Sequence, residues 1–206
     1  MIAIAALLLA GVVWTFARRG DSLPRDPRAA RIEQYRREGN ISALSGELDN
    51  ADVEMARRAV QALGHLAKDA VKHVERALRD RRPRVREAAA AELGRLGDLN
   101  SAPLLAETVR NDKSANVRAS AASALGRMYA HEQMEALLDA MGDSNTTVRR
   151  RAYAAYYRIT GVGRDFRADD PLPKRRRAVQ KLRKFWPTIK PYIIRYYQRK
   201  RKNRNL

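Results

Sequence analysis

Three Asp–Arg pairs recur at one spacing along this chain: Asp80 with Arg86, Asp112 with Arg118, and Asp143 with Arg149, each six residues apart. Taken singly, each is an acid–base dyad in outline. A spacing that returns with the period of the fold points to a structural part instead. His131-Glu132 is the one His–Glu pair, and it stands at the start of a helix. His65 follows Gly64 at a helix end and His73 sits among Lys72 and Glu75, positions that suit surface residues. There is no cysteine, which excludes disulfides, Cys-ligated zinc, iron–sulfur clusters and thiol nucleophiles while leaving the compartment open. The sequence also lacks a Gly-rich phosphate loop, a Gly-x-Ser-x-Gly elbow and a His-Glu-x-x-His helix. No catalytic residue, cofactor or metal is therefore expected.

The elements that carry the Asp–Arg pairs are visible as a repeat. Segments opening at Met55, Val85, Val117 and Val148 align, each with apolar residues at i, i+4, i+5 and i+8, which is one face of a helix. The first residues are 30, 32 and 31 positions apart. A second, Leu-rich helix precedes each one: Ile41 to Leu48, Ala70 to Arg79, Pro103 to Arg110 and Glu132 to Met141. Turn residues separate the members of each pair at Asp49-Asn50, Arg82-Pro83, Asp112-Lys113-Ser114 and Gly142 to Asn145. Alanines at 59, 89 and 121 and glycines at 64, 94 and 126 let neighbouring helices approach closely, whereas Tyr157 stands where the fourth glycine would be. Units of helix, turn and helix stack into a solenoid.

This pattern of Leu, Asp, Val-Arg, Ala-Ala and Leu-Gly resembles the HEAT-repeat superfamily, in particular the short repeats named after phycobilisome lyases, over residues 41–160. The resemblance implies an all-α solenoid of about four helical hairpins. It implies little about activity, because such solenoids mostly bind other molecules. It also implies that Asp80, Arg86, Asp112, Arg118, Asp143 and Arg149 form a ladder, each Asp accepting bonds at a turn from backbone N–H groups and from an Arg of its own or a neighbouring unit. HEAT-like deoxyhypusine hydroxylases place several His–Glu pairs on successive repeats for a di-iron site, and one pair does not meet that need. Ile159 through Pro171, followed by a basic helix ending in Phe185-Trp186, resembles the C-terminal cap of some bacterial proteins of this type.

Charge divides the chain further. The net +19 is concentrated at one end, since residues 161–206 hold sixteen basic and three acidic side chains whereas 41–160 hold nineteen and sixteen. A near-neutral repeat body and a basic cap and tail over 161–206 follow. Lys174 to Trp186 reads as a capping helix with Arg175, Arg176, Arg177, Lys181, Arg183 and Lys184 facing outward, and Pro187 and Pro191 are expected to break or restart it. Beyond them an aromatic stripe through Tyr192, Tyr196 and Tyr197 leads to Arg199, Lys200, Arg201 and Lys202. These cations suit an anionic membrane surface, with nucleic-acid phosphates as the alternative ligand.

At the other end, Ile2 to Ala17 is uncharged, and the arginines that follow it have no counterpart before it. Residues 1–17 are therefore expected to be a single-pass anchor in a bacterial inner membrane, N-terminus out and repeats in the cytoplasm, with a cleaved signal peptide and export as the alternative. Residues 18–40 read as a basic linker and a short helix beginning near Arg28. The expected function is a membrane-anchored, non-enzymatic scaffold that binds a protein partner. The second helices are expected to offer Arg57, Arg58, Glu87, Glu92, Arg95, Arg127, Arg150, Arg151 and Arg158 for contact. The alternative is a nucleic-acid-binding protein acting through the basic extension.

Overall fold

A computed structural model of the protein describes residues 26–163 and 165–203. The expected anchor at 1–17 and the first part of the linker lie outside the described residues, as does the side chain of Arg201. The described residues are helical and contain no strand, and none of their helices is long and apolar enough to cross a membrane.

Helix α1 spans Pro27–Glu38, and four hairpins follow. They pair α2 (Ile41–Glu47) with α3 (Val53–His65), α4 (Val71–Ala77) with α5 (Pro83–Leu96), α6 (Ala102–Asn111) with α7 (Ala115–Arg127), and α8 (Met134–Ala140) with α9 (Thr146–Thr160). A long helix, α10, covers Leu172–Lys202. The second helices stack in a row, α3 on α5, α5 on α7 and α7 on α9. Helix α1 packs against both α2 and α3, so it adds a half-unit to the start of that row, which begins before residue 41. Its start is set by Asp26, whose carboxylate accepts from the Arg28 N–H, and by Pro27 at the first turn.

Equivalent residues bury equally. Ala59, Ala89, Ala121 and Ala152 are fully buried, as are Leu63, Leu93, Leu125 and Tyr156 one turn further along. Two of the glycines mark true backbone contact: a Cβ on Gly94 would lie 2.6 Å from the Ala124 Cα, and one on Gly126 would lie 2.8 Å from the Ala155 Cα. At Gly64 the neighbour is only the Glu92 side chain. Tyr157, in the fourth equivalent position, has no further second helix to meet and is 48% exposed beside the loop from Gly161 to Phe166.

The ladder joins one hairpin to the next. The Arg86 guanidinium donates two bonds to Asp112, at 2.7 and 2.8 Å, and Arg118 does the same to Asp143, at 2.8 and 3.0 Å. Each of these arginines also donates to the carbonyl of the Asp in its own hairpin, Asp80 for Arg86 and Asp112 for Arg118. In every turn a side-chain oxygen accepts the N–H two residues on: Asn50 from Asp52, Asp80 from Arg82, Asp112 from Ser114 and Asp143 from Asn145. Asn50 thus belongs to the set, although sequence spacing pointed only to the three aspartates.

The first and last rungs differ. The first hairpin has Ala56 where the others have Arg86, Arg118 or Arg149, and Arg82 fills the gap from the next hairpin by donating to the carbonyls of Leu48 and Asn50 while pairing with Asp80. At the far end Arg149 meets no carboxylate within bonding distance among the described residues. It is 6% exposed and donates to the carbonyls of Asp143 at 2.9 Å, Ser144 at 2.8 Å and Ala168 at 2.7 Å.

Helix α10 corrects one expectation, because Pro187 and Pro191 lie inside it and do not break it. Both prolines are exposed and four residues apart, so the carbonyls that lose their N–H partners face solvent. On the opposite face Ala178, Leu182, Trp186 and Tyr197 are buried, with Ile189 and Ile193 packed against the same core. Packing of that stripe carries the helix through.

Two outcomes test this account. Gly94→Ala and Gly126→Ala should each lower the urea-unfolding free energy by about 1–3 kcal/mol, because rigid backbone must move, and Gly64→Ala should cost less. The second concerns acid. Burial pushes the carboxyls of Asp80, Asp112 and Asp143 up, but hydrogen bonds from Arg82, Arg86 and Arg118 and from turn N–H groups leave all three below the ordinary aspartate value. A carboxyl depressed in the folded state stabilises fully above its unfolded pKa of about 3.9 and loses that contribution as pH falls through its folded value. The urea midpoint should therefore fall steeply below about pH 4. Asp112→Asn should cost roughly 2 kcal/mol at neutral pH and make the acid decline shallower.

Candidate functional site

The second helices present side chains in rows set by the repeat, most of them at the surface and a few, such as Ala88 and Ala119, buried. His65, Arg95, Arg127 and Arg158 share one position, at intervals of 30, 32 and 31 residues. Arg58, Ala88, Ser120 and Arg151 share another, and Arg57, Glu87, Ala119 and Arg150 a third. Charge along these rows is therefore a matter of which residue each hairpin supplies.

Toward the first hairpins the cations are neutralised locally. Arg57 and Arg58 both bond Glu54, at 2.7 and 3.1 Å, which holds the Glu54 carboxyl below its usual range. Arg95 pairs with Glu92 at 2.7 Å, and Glu92 is folded against Gly64 with its side chain largely covered. Glu87 is half-buried, and its carbonyl accepts from the Ser120 hydroxyl. Arg150 reaches Asp169 at 2.7 Å. Of the nine residues expected to offer contacts, these six are engaged with or covered by the protein itself.

The remaining three lie together. Arg127, Arg151 and Arg158 form no ion pair among the described residues. Burial lowers the Arg127 guanidinium from its ordinary value, Glu92 opposes this, and Arg158 and Arg151 add like-charge repulsion. Arg127 also donates to the Ala91 carbonyl at 2.8 Å, which fixes its direction near the end of α5. The last two hairpins thus carry a positive patch of three arginines with no ion pair among the described residues, which an anion would stabilise.

On the basic extension the expected residues divide as well. Arg183 bonds Asp139 at 2.6 Å and lies 3.6 Å from Glu135, which fastens α10 to the fourth hairpin, whereas Arg175 donates to the Asp170 carbonyl in the loop just before its own helix. Lys190, not singled out beforehand, reaches Glu132 at 3.9 Å. Lys200 stands over the rings of Tyr129 and Tyr196, both at 5.8 Å. Arg176, Arg177, Lys181, Lys184, Arg199 and Lys202 remain exposed and form no ion pair among the described residues.

The histidines occupy varied settings. The His73 ring nitrogen lies 2.8 Å from the Ser45 hydroxyl, and His131 lies 3.4 Å from Glu132 with its ring stacked near Tyr197. Tyr197 donates to the Ile159 carbonyl at 3.1 Å, and burial pushes its phenol up to about 12. Among the described residues, no three or more His, Asp or Glu side chains converge as a metal site would require.

Comparison with known proteins places the architecture. A family model for HEAT repeats matches residues 41–126 and 102–186. Human deoxyhypusine hydroxylase in complex with glycerol is similar over 57% of this chain and 42% of its own, at 23% identity and a TM-score of 0.52. The complex of CpcE and CpcF of phycocyanin lyase from Nostoc sp. PCC7120 is similar over 67% of this chain and 86% of its own, at 20% identity and a TM-score of 0.52. The chain thus spans less than half of the human enzyme, and both likenesses concern the fold alone. Comparison with curated protein sequences gives no significant match. The stacked hairpins, the inter-hairpin ladder and the family match over most of the described residues agree: the chain belongs to the HEAT-repeat family.

Proposed function

We propose that the protein is a non-enzymatic adaptor that holds an acidic segment of a partner protein against its second-helix row while its N-terminal apolar segment keeps the pair at a membrane. One observation carries the reading: Arg127, Arg151 and Arg158 sit together on consecutive hairpins and form no ion pair among the described residues, with Glu92 acting on Arg127 at longer range, while Arg57, Arg58 and Arg95 of the earlier hairpins each bond a carboxylate. HEAT and related repeats generally mediate protein–protein contact, and a row of stacked helices offers an extended segment equivalent positions at regular spacing. Cations at two such positions select acidic side chains spaced to match.

The membrane part of the reading rests on the sequence of residues 2–17 and on the arginines that follow them. Tethering confines the adaptor to two dimensions and raises the effective concentration of anything already at that surface, so modest affinity suffices.

The test uses the full chain in lipid nanodiscs and a fluorescent Glu-rich peptide as the probe. Its anisotropy should rise on binding and fall as salt is raised. Arg127→Glu combined with Arg158→Glu should weaken binding at least about tenfold, equivalent to 1.4 kcal/mol. Arg57→Glu, beside its own Glu54, should change it little. Equal binding by the double variant and the parent would remove this patch from consideration.

A further inference from the structure

We propose that the outer face of α10 is a docking strip for an anionic bilayer, lying flat on the lipid headgroups along the length of the helix. The proposal deepens the membrane reading above and rests on it for placing a bilayer within reach. Its basis is how α10 divides its faces. The buried stripe through Leu182 and Trp186, with the Arg183–Asp139 and Lys190–Glu132 pairs, fixes the rotation of the helix on the repeats. At 3.6 residues per turn that rotation sets Arg177, Lys184, Arg195 and Lys202 in one line on the opposite side, at intervals of 7, 11 and 7 residues. All four are exposed, and none forms an ion pair among the described residues.

Three features identify the ligand. First, no Asp or Glu occurs anywhere from residue 171 to 206, so the neutralising charge must come from outside this segment. Second, the cationic line has an aromatic rim on one side, with Phe185 40%, Tyr192 66% and Tyr196 56% exposed. The Arg195 guanidinium stands 5.1 Å above the Tyr192 ring, a pairing of cation and amphipathic ring suited to a headgroup boundary. Third, the helix is continuous for 31 residues, about 46 Å, and repeats its outward charges on one face over that length, a one-sided array that suits an extended plane better than the winding path of a nucleic-acid backbone. Tethering through residues 1–17 would let such weak individual contacts act together.

The absence of cysteine makes the test direct, because a single introduced thiol can be spin-labelled in the full chain. Thr188 is exposed, uncharged and on the outer face, and Asn111, exposed at the end of α6, serves as the control. The labelled chain is reconstituted into phosphatidylcholine vesicles with or without about 30% phosphatidylglycerol. In anionic vesicles the Thr188→Cys label should lose about tenfold of its collisions with a water-soluble nickel complex and gain collisions with oxygen, returning to the aqueous values in about 0.5 M salt. In neutral vesicles, and at Asn111→Cys throughout, it should stay aqueous.

Combining Arg177→Gln, Lys184→Gln and Arg195→Gln should abolish the change while circular dichroism and Tm stay those of the parent. A Thr188 label that remains aqueous in anionic vesicles, or that duplex DNA shields while lipid does not, overturns the proposal. Flotation with neutral vesicles at high salt reports on residues 1–17 alone. A chain that does not float there loses the anchor, while the Thr188 label in anionic vesicles still decides the strip.

Discussion

Close approach of the second helices is the constraint on which the rest of the structure depends. Ala59, Ala89, Ala121 and Ala152 are fully buried, and the contacts at Gly94 and Gly126 leave no room for a methyl group between backbones. Small residues at one phase of every repeat let each second helix stack on the next, and that stacking makes the other features periodic. The Arg86–Asp112 and Arg118–Asp143 bridges form because each arginine reaches one hairpin forward and finds the next turn at the same offset. The outward rows that hold Arg127, Arg151 and Arg158 have the same origin.

A stacked array must also end, and each end solves a missing rung with different chemistry. At the start, Ala56 supplies no guanidinium, and Arg82 reaches backward to the carbonyls of Leu48 and Asn50. At the finish, Arg149 has no following hairpin and is met by the Ala168 carbonyl from the loop that leads into α10. Burial lowers the Arg149 guanidinium, and Arg175 adds repulsion, so three carbonyl dipoles and the Thr146 hydroxyl supply what a carboxylate supplies elsewhere. Helices α1 and α10 cover the apolar surfaces that an open stack would expose.

Charge is organised by the same division between interior and ends. Within the repeats acidic and basic residues nearly balance, and arginines such as Arg57, Arg86, Arg95 and Arg118 are engaged by a carboxylate three or four residues away or one hairpin away. In α10 no such partner exists on the helix itself, so it borrows Asp139, Glu135 and Glu132 from the fourth hairpin to seat one face and leaves the other uncompensated. The protein thus keeps two positive surfaces on different elements, one on the last second helices and one on the outer face of α10.

By itself the sequence determined the period, the helix pairs and the residues of the inner rungs, Arg86 with Asp112 and Arg118 with Asp143. Small residues, Val and Leu at fixed offsets state a local requirement that every unit repeats, and expected helices such as Ile41 to Leu48 agree with observed ones such as Ile41–Glu47 to within a few residues. Only the tertiary structure decided which arginines are free. Arg150 and Arg127 look alike along the chain, neither having a carboxylate three or four residues away, yet one reaches Asp169 and the other lies among Glu92, Arg151 and Arg158. It also decided that α10 continues through Pro187 and Pro191 and that α1 joins the row ahead of the first hairpin. The physical reason is common to all three: pairing of charges, tolerance of a lost hydrogen bond and recruitment of a flanking helix depend on neighbours brought close by folding. No local propensity records them.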